Sequence, residues 1–487
     1  MHTRYMIAIR QFILLPALVF ITMIVALPSC NRKSQDQTTT DSSTSHTNYT
    51  SSTASPTTTA VNYPVTLPVL DAFMADSTFD SLAKTKAGLT DAELLKVRTV
   101  AHQEAARLET AQMSNTGEYS GSTADARARA ITLLDSIIGA EKRTRLLDLV
   151  QEQWADRSDS AGGAAVSDTN SIEATRNAVP KDSRVVVNIP AYRMDVFDSG
   201  NLVKSYKVTI GYPEFPLPTG MRKAREIVFN PTWTPPDEAW VESPNGKVKV
   251  GQTVAAGDKL NPLGVLKVPI GGPSLIHGGK SPSKLGTFGS HGCVGLVDRD
   301  ASDFALRLAQ LSGKALSDSA VANYAKDKKS THDIRLPKSV AIELRYETIV
   351  ADSGNLHIYR DVYDHNTNTQ ENLESTLQTY GLSMKDLTPD EQSQVLVALH
   401  DMSKDITTNT DTTIVRNIAL KDTSGIPPSK SSTAHDPKTD HRPTMTSRIK
   451  GEREIVIPIA ALRGRGYPEP VGMAQPVTVK SKKAKSK

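Results

Sequence analysis

Apolar residues recur with a period of two between residues 183 and 365, and this alternation predicts β-strands. Alternating positions at 185–189 and 206–210 flank Asp-Ser-Gly at 198–200, a turn composition, so a β-hairpin is expected to open the region. Further strands are predicted at 226–230, 264–270, 340–346 and 356–359. The region is therefore expected to be mainly β.

A helical period appears before and after this region. In the stretch 63–156, Thr-Asp-Ala-Glu at 90–93 is a capping-box sequence that precedes a one-sided apolar pattern. This helical module has no catalytic signature and is interpreted as a spacer or docking unit. Residues 371–404 form a second helical segment, and a single helix within the β region is expected to be capped by Asp300 and stopped by Gly313.

Three polar stretches contain little that could be buried. Residues 31–62 are rich in Ser and Thr and predict a flexible linker, and residues 157–181 are small and polar. Residues 405–487 are rich in Ser, Thr, Lys and Pro, which predicts a mostly disordered basic tail whose lysines either give solubility or touch anionic polymers. The formal net charge of +4 argues against a nucleic-acid-binding protein.

The N-terminus predicts export. Two basic residues precede an apolar run at 12–28, which is shorter than the roughly 20 residues that span a membrane. The run ends in Leu-Pro-Ser-Cys, which resembles a bacterial lipobox, so residues 1–30 are interpreted as a lipoprotein signal peptide with Cys30 as the lipidated residue. An uncleaved signal anchor is the alternative. Both place the chain in the cell envelope, outside the cytoplasm.

The chain has two cysteines, Cys30 and Cys293. If Cys30 carries lipid, Cys293 is an unpaired thiol in an oxidising compartment. An unpaired thiol in such a compartment is best explained by a reactive role. A thiol needs a base or a cation beside it to act as a nucleophile, and His277 and His291 are available. Cysteine chemistry of this kind would be acyl transfer through a thioester.

Two other interpretations of these residues remain. Cys293 could be a buried small apolar residue whose neighbouring histidines bind loop backbone. A zinc site made of His277, His291 and Cys293 lacks the usual ligand spacing of such sites.

The segments LIHGG (275–279) and SHGC (290–293) together resemble the signature of L,D-transpeptidases of the YkuD type. Stretches similar to other parts of that family follow in the same order, at 185–211, 218–220, 229–233, 261–264 and 336–363. The resemblance spans about 183–365 and implies a sandwich-like β domain. It also implies a peptidoglycan stem tetrapeptide as substrate and no metal or organic cofactor.

By the same resemblance, Cys293 is the nucleophile and His277 its base, while His291 supports the pocket. The resemblance assigns Gly292 and the amide of Cys293 to the oxyanion hole, and Ser290 holds the loop.

Glycines are expected to leave room for substrate, with Gly278 beside His277 and Gly295 near the thiol assigned to substrate binding. Gly295 is also a departure from the family, whose members usually have a larger polar residue there, often arginine. Arg299 and Lys280 are nearby candidates to replace that cation, and Arg299 is assigned to substrate binding.

Three functions are compatible with these sequence features. The leading hypothesis is a membrane-tethered L,D-transpeptidase that forms 3-3 cross-links or attaches another amine acceptor. An L,D-carboxypeptidase would use the same thioester with water as acceptor. A wall-binding lipoprotein without activity is the alternative that is not an enzyme.

Overall fold

The computed structural model describes residues 65–114, 122–156, 177–238, 241, 248–403 and 453–473. The predicted signal segment with Cys30 and the linker at 31–62 lie outside the described residues. Of the predicted tail, only the part from 453 to 473 is described. Among the helices described, none combines the length and the apolar character needed to cross a membrane.

The predicted helical module is confirmed. Its helices are α1 (Leu67–Met74), α2 (Ser77–Thr85), α3 (Asp91–Ser114) and α4 (Thr123–Asp156). The capping box forms, because the Thr90 N–H donates to the Glu93 carboxylate and the Glu93 N–H donates to Thr90 Oγ1. Gly139, at φ 75°, interrupts α4. Phe73, Phe79 and Trp154 are the bulkiest residues of the module's own core.

One curled eight-stranded sheet dominates the β region. Its strands are β1 (Arg184–Asn188), β2 (Arg193–Asp198), β3 (Asn201–Lys207), β5 (Gly220–Phe229), β6 (Leu266–Pro269), β7 (Leu275–His277), β9 (Val294–Gly295) and β10 (His332–Arg345), in the order β3-β2-β1-β10-β5-β6-β7-β9. β4 (Ile210–Gly211) and β8 (Phe288–Ser290) form a small parallel pair. The sheet curls far enough for Thr209, just after β3, to bridge Gly295 at the opposite edge. The mainly β prediction is confirmed.

Two helices follow β9: α5 (Asp298–Leu311) and α6 (Asp318–Lys326). The apolar face of α5 is buried in the core of the sheet, as its spacing predicts, and Gly313 follows its end at φ 79°. The predicted cap is wrong, since α5 begins at Asp298 and Asp300 lies in its first turn, paired with Arg299 at 3.0 Å.

The C-terminal part adds a second, smaller sheet. β11 (Ile349–Asp352) and β12 (Asn355–Tyr359) pair with β13 (Glu454–Pro458) and not with the main sheet, and α7 (Gln370–Thr379) and α8 (Pro389–Ser403) pack on them. The predicted domain boundary at residue 365 stays a prediction: β11 and β12 leave the main sheet, but Tyr363 is buried in the core of that sheet, and its hydroxyl donates to the Gly211 carbonyl oxygen at 2.8 Å. The prediction of disorder is wrong for 453–473, since β13 is held in place by β12.

The helical module contacts the β region directly. Thr66 Oγ1 and Thr123 Oγ1 donate to the carbonyl oxygens of Glu214 and Pro213, at 2.5 and 2.7 Å. The ring of Trp154 lies against the turn that contains Gly272, where an added Cβ would be 2.9 Å from Trp154 Cδ1. The module is thus packed onto two loops of the β region.

Candidate active site

Cys293 lies between β8 and β9, in a loop whose shape Gly292 makes possible. Gly292 has φ 86°, a conformation that glycine adopts with least strain. Cys293 is half-buried, and its Sγ lies 3.9 Å from the carbonyl oxygen of Pro273. Its N–H donates to Ser290 Oγ at 2.9 Å, so Ser290 holds the loop. The same hydrogen bond occupies the amide that was expected to stabilise an oxyanion.

His277 shares a sheet face with Cys293. β7 and β9 are parallel, with Ile276 opposite Val294 and His277 opposite Gly295. Ile276 and Val294 are fully buried in the core, so the alternate positions, His277 and Cys293, lie on the other face. This register brings base and thiol together although 15 residues separate them in the sequence.

The His277 ring is 3% exposed, and its Nδ1 lies 2.8 Å from the Gly278 carbonyl oxygen. Because a carbonyl oxygen only accepts, the neutral ring donates from Nδ1 and keeps Nε2 as its basic atom. Burial, together with the positive charge of Lys280, lowers the pKa of His277 to about 3. The resting imidazole is therefore neutral.

His291 lies between two aromatic rings, with centroids 5.3 Å from Tyr212 and 4.7 Å from Phe215 in edge-on geometry. Burial and the charge of Lys280 lower its pKa to about 3. A neutral ring held by aromatic contacts fits the expected supporting role.

The thiol is also neutral at rest. Burial raises the pKa of Cys293, and this effect exceeds the lowering by a backbone contact at Leu275, by the Lys280 charge and by Ser290. Thiol and imidazole are thus both uncharged at rest.

Both groups open into one cavity of about 530 Å³. It is also lined by Trp233, from the family-like stretch 229–233, and by Glu238 and Lys267, which no local pattern marks. They come from the segment 232–238 and from β6, so only the folded sheet brings them to the thiol.

The residues considered for substrate binding do not all line the cavity. Arg299 is outside the cavity, with its side chain 89% exposed and paired with Asp300. Gly278 packs against Asp298, whose Oδ1 would lie 2.5 Å from an added Cβ. Gly295 is buried beneath Lys280, which does line the cavity. Of the four, Lys280 is positioned to meet a substrate.

Asp298 is a positioning residue that no sequence motif marks. Its Oδ1 accepts the N–H groups of Val265 and Gly279, at 3.1 and 2.7 Å. These bonds join the start of α5 to the backbone beside β6 and β7, and so fix His277 relative to the Cys293 loop.

Within the described ranges, no group of three or more His, Cys, Asp or Glu side chains is arranged to hold a metal, and this includes His277, His291 and Cys293.

Comparison with known proteins identifies the domain. The family model for the L,D-transpeptidase catalytic domain, YkuD, matches residues 182–315. A comparison with curated protein sequences gives no match.

Similar solved structures include an L,D-transpeptidase from Mycobacterium smegmatis, with 18% identity and a TM-score of 0.20 over 34% of this chain and 58% of that one. The catalytic domain of the Enterococcus faecium L,D-transpeptidase has 14% identity and a TM-score of 0.21, over 34% of this chain and all of that domain. L,D-transpeptidase 3 from Mycobacterium tuberculosis with a faropenem-derived adduct has 15% identity and a TM-score of 0.20, over 33% of this chain and 59% of that one. The chain thus spans between half and three fifths of most of these proteins. The family model identifies residues 182–315 as an L,D-transpeptidase catalytic domain of the YkuD family.

Proposed function

We propose that the protein is an L,D-transpeptidase that acts on peptidoglycan stem peptides through a thioester on Cys293. The observation that carries the proposal is the placement of Cys293 and His277 on one face of the β7–β9 pair, at the wall of one cavity. A nucleophile beside a base whose tautomer is fixed is the arrangement that acyl transfer requires.

In the proposed reaction, Cys293 Sγ attacks the carbonyl carbon of the third stem residue, and its proton passes to His277 Nε2. The tetrahedral intermediate then loses the terminal D-alanine, whose amine takes the proton from His277. A side-chain amine of a second stem attacks the thioester, gives its proton to His277 and restores the thiol.

The electrostatics favour a concerted first step. Burial disfavours both the thiolate and the imidazolium, so the proton moves as the bond to carbon forms. The negative charge then sits on the substrate oxygen. For the Cys293 N–H to bind that oxygen, the Ser290 hydroxyl must release or share it.

The test is incubation of the purified protein with disaccharide tetrapeptides, followed by mass spectrometry of the products. Cross-linked dimers that disappear with Cys293→Ala support the proposal. Tripeptide without dimer would make the protein an L,D-carboxypeptidase. No release of D-alanine would exclude both activities and favour the wall-binding alternative.

We also infer a location in the cell envelope, from the lipobox-like sequence that ends at Cys30. Lipidation at Cys30 would tether the domain to a membrane facing the wall. Cys30→Ser should move the protein out of the membrane fraction or leave its precursor unprocessed. Unchanged processing and fractionation would exclude Cys30 as the anchor.

A further inference from the structure

Lys280 follows β7 after two glycines and turns back over the Cys293 loop. Its N–H donates to the Leu296 carbonyl oxygen at 3.0 Å, and its Nζ donates to the Gly289 carbonyl oxygen at 2.7 Å. Both ends of the residue are thus fixed to the segment that carries the nucleophile.

The path of this side chain depends on Gly295. An added Cβ at residue 295 would lie 2.6 Å from Lys280 Cε, 2.7 Å from Lys280 Cγ and 2.4 Å from Thr209 Oγ1. Gly295 is not among the glycines with positive φ, so its backbone does not require glycine. The missing side chain therefore leaves the space through which Lys280 reaches the cavity.

The positive charge of Lys280 acts on the proposed nucleophile, on its base and on the supporting histidine. Its charge lowers the pKa of His277 and of His291, and it lowers the pKa of Cys293 against the larger effect of burial. The other lysine that lines the cavity is Lys267, on β6. An ammonium has three N–H donors, and the contact with Gly289 uses one of them.

We propose that Lys280 binds the terminal carboxylate of the donor peptide, next to the bond that Cys293 attacks. The inference rests on the proposed function for the identity of that peptide. The leaving residue follows the attacked carbonyl directly, and consecutive Cα atoms are about 3.8 Å apart, so its carboxylate is held close to the thiol. A cation fixed beside Cys293 is at the right range to bind it. Lys280 then determines specificity for a donor with a terminal carboxylate, and it supplies the cation that position 295 lacks.

The test compares alkylation of Cys293 by iodoacetate and by iodoacetamide, which differ by one carboxylate. Sγ displaces iodide from either reagent and loses its proton, and the adduct on the Cys293 peptide is quantified by mass spectrometry. The ratio of the two rates isolates carboxylate binding, because a change in thiol reactivity affects both reagents equally.

We expect Lys280→Met to lower this ratio about tenfold, equivalent to ~1.4 kcal/mol. Gly295→Ala should lower it as well, by displacing the lysine, and Lys280→Arg should preserve most of it. Lys259→Met is the matched control, since that lysine is exposed and outside the cavity. An unchanged ratio in both Lys280→Met and Gly295→Ala would overturn the proposal. A fall with Lys267→Met instead would assign the carboxylate to Lys267.

The alkylation assay needs no peptidoglycan substrate, so its outcome is separate from that of the proposed function. If the ratio falls but tetrapeptides are not turned over, the anion site stands and the function fails. If tetrapeptides are turned over while the ratio is unchanged, the function stands and Lys280 has no part in carboxylate binding.

Discussion

Trp154 connects the helical module to the nucleophile, and replacing it tests that connection. Its side chain is 2% exposed, and its ring meets Phe73 edge-on at 5.5 Å. The ring also contacts the turn at Gly272, next to Pro273, whose carbonyl oxygen lies 3.9 Å from Cys293 Sγ. Loss of the ring should therefore affect both the stability of the fold and the environment of the thiol.

We expect Trp154→Ala to lower the free energy of unfolding by about 3–5 kcal/mol, the usual loss when a buried tryptophan is truncated. This is a large part of the total for a globular protein, about 5–15 kcal/mol. Because the turn that shields the thiol loses its support, Cys293 should also react faster with iodoacetamide in the folded protein.

Urea denaturation followed by circular dichroism measures the first effect, and alkylation below the transition measures the second. Leu95→Ala is the control, because Leu95 is on the same module but 64% exposed. If Trp154→Ala shifted the midpoint no further than Leu95→Ala and left the alkylation rate unchanged, the module would not support the site as argued.

Three further predictions follow from the site. The rate of Cys293 alkylation by iodoacetamide should still be rising above pH 9, because burial raises the thiol pKa from 9.0; a plateau below pH 8 would contradict this. In the unfolded chain, His277 is protonated below about pH 6.5, but in the folded chain it is protonated only below about pH 3. The free energy of unfolding should therefore fall as the pH falls from 6.5 to 3. His277→Asn should weaken that dependence without abolishing it, because the pKa of His291 is lowered to about 3 as well; urea titrations at several pH values would show the change. Gly292→Ala should cost about 1–2 kcal/mol in unfolding experiments, because alanine is strained at φ 86°; an unchanged stability would mean that the loop relaxes.

The local features of the fold were predictable from local sequence. The turn at Asp-Ser-Gly forms as predicted, with Ser199 and Gly200 at φ 49° and 83°, but the strand before it is β2, and the predicted alternation at 185–189 belongs to β1. The helix before residue 114 follows its capping box and apolar stripe. In each case, one short stretch contains both the pattern and the partner that satisfies it.

Features that depend on distant partners were not predictable. β13 reads as a short apolar run in a polar tail, and it becomes a strand because β12, almost a hundred residues earlier, offers an unpaired edge. The strand β12 itself alternates like the catalytic strands, and alternation does not specify which sheet a strand joins.

The candidate site divides in the same way. Thiol chemistry needs a base, which left His277 and His291 as candidates for Cys293, and only the family resemblance favoured His277. In the sequence, Gly295 indicated that the cation usual at this position of the family is missing. In the structure, the space that a side chain at residue 295 would occupy is filled by Lys280. Arg299 was close in sequence but faces away from the cavity, since α5 carries it to the surface.

The central claim is that Cys293 forms a thioester with a stem peptide. Its most direct test is the intact mass of the protein shortly after mixing with disaccharide tetrapeptide, with the modified peptide then mapped. We expect an adduct equal to the substrate minus D-alanine, on Cys293 and absent from Cys293→Ala. Release of D-alanine with an unmodified Cys293, or by the Cys293→Ala protein, would contradict it.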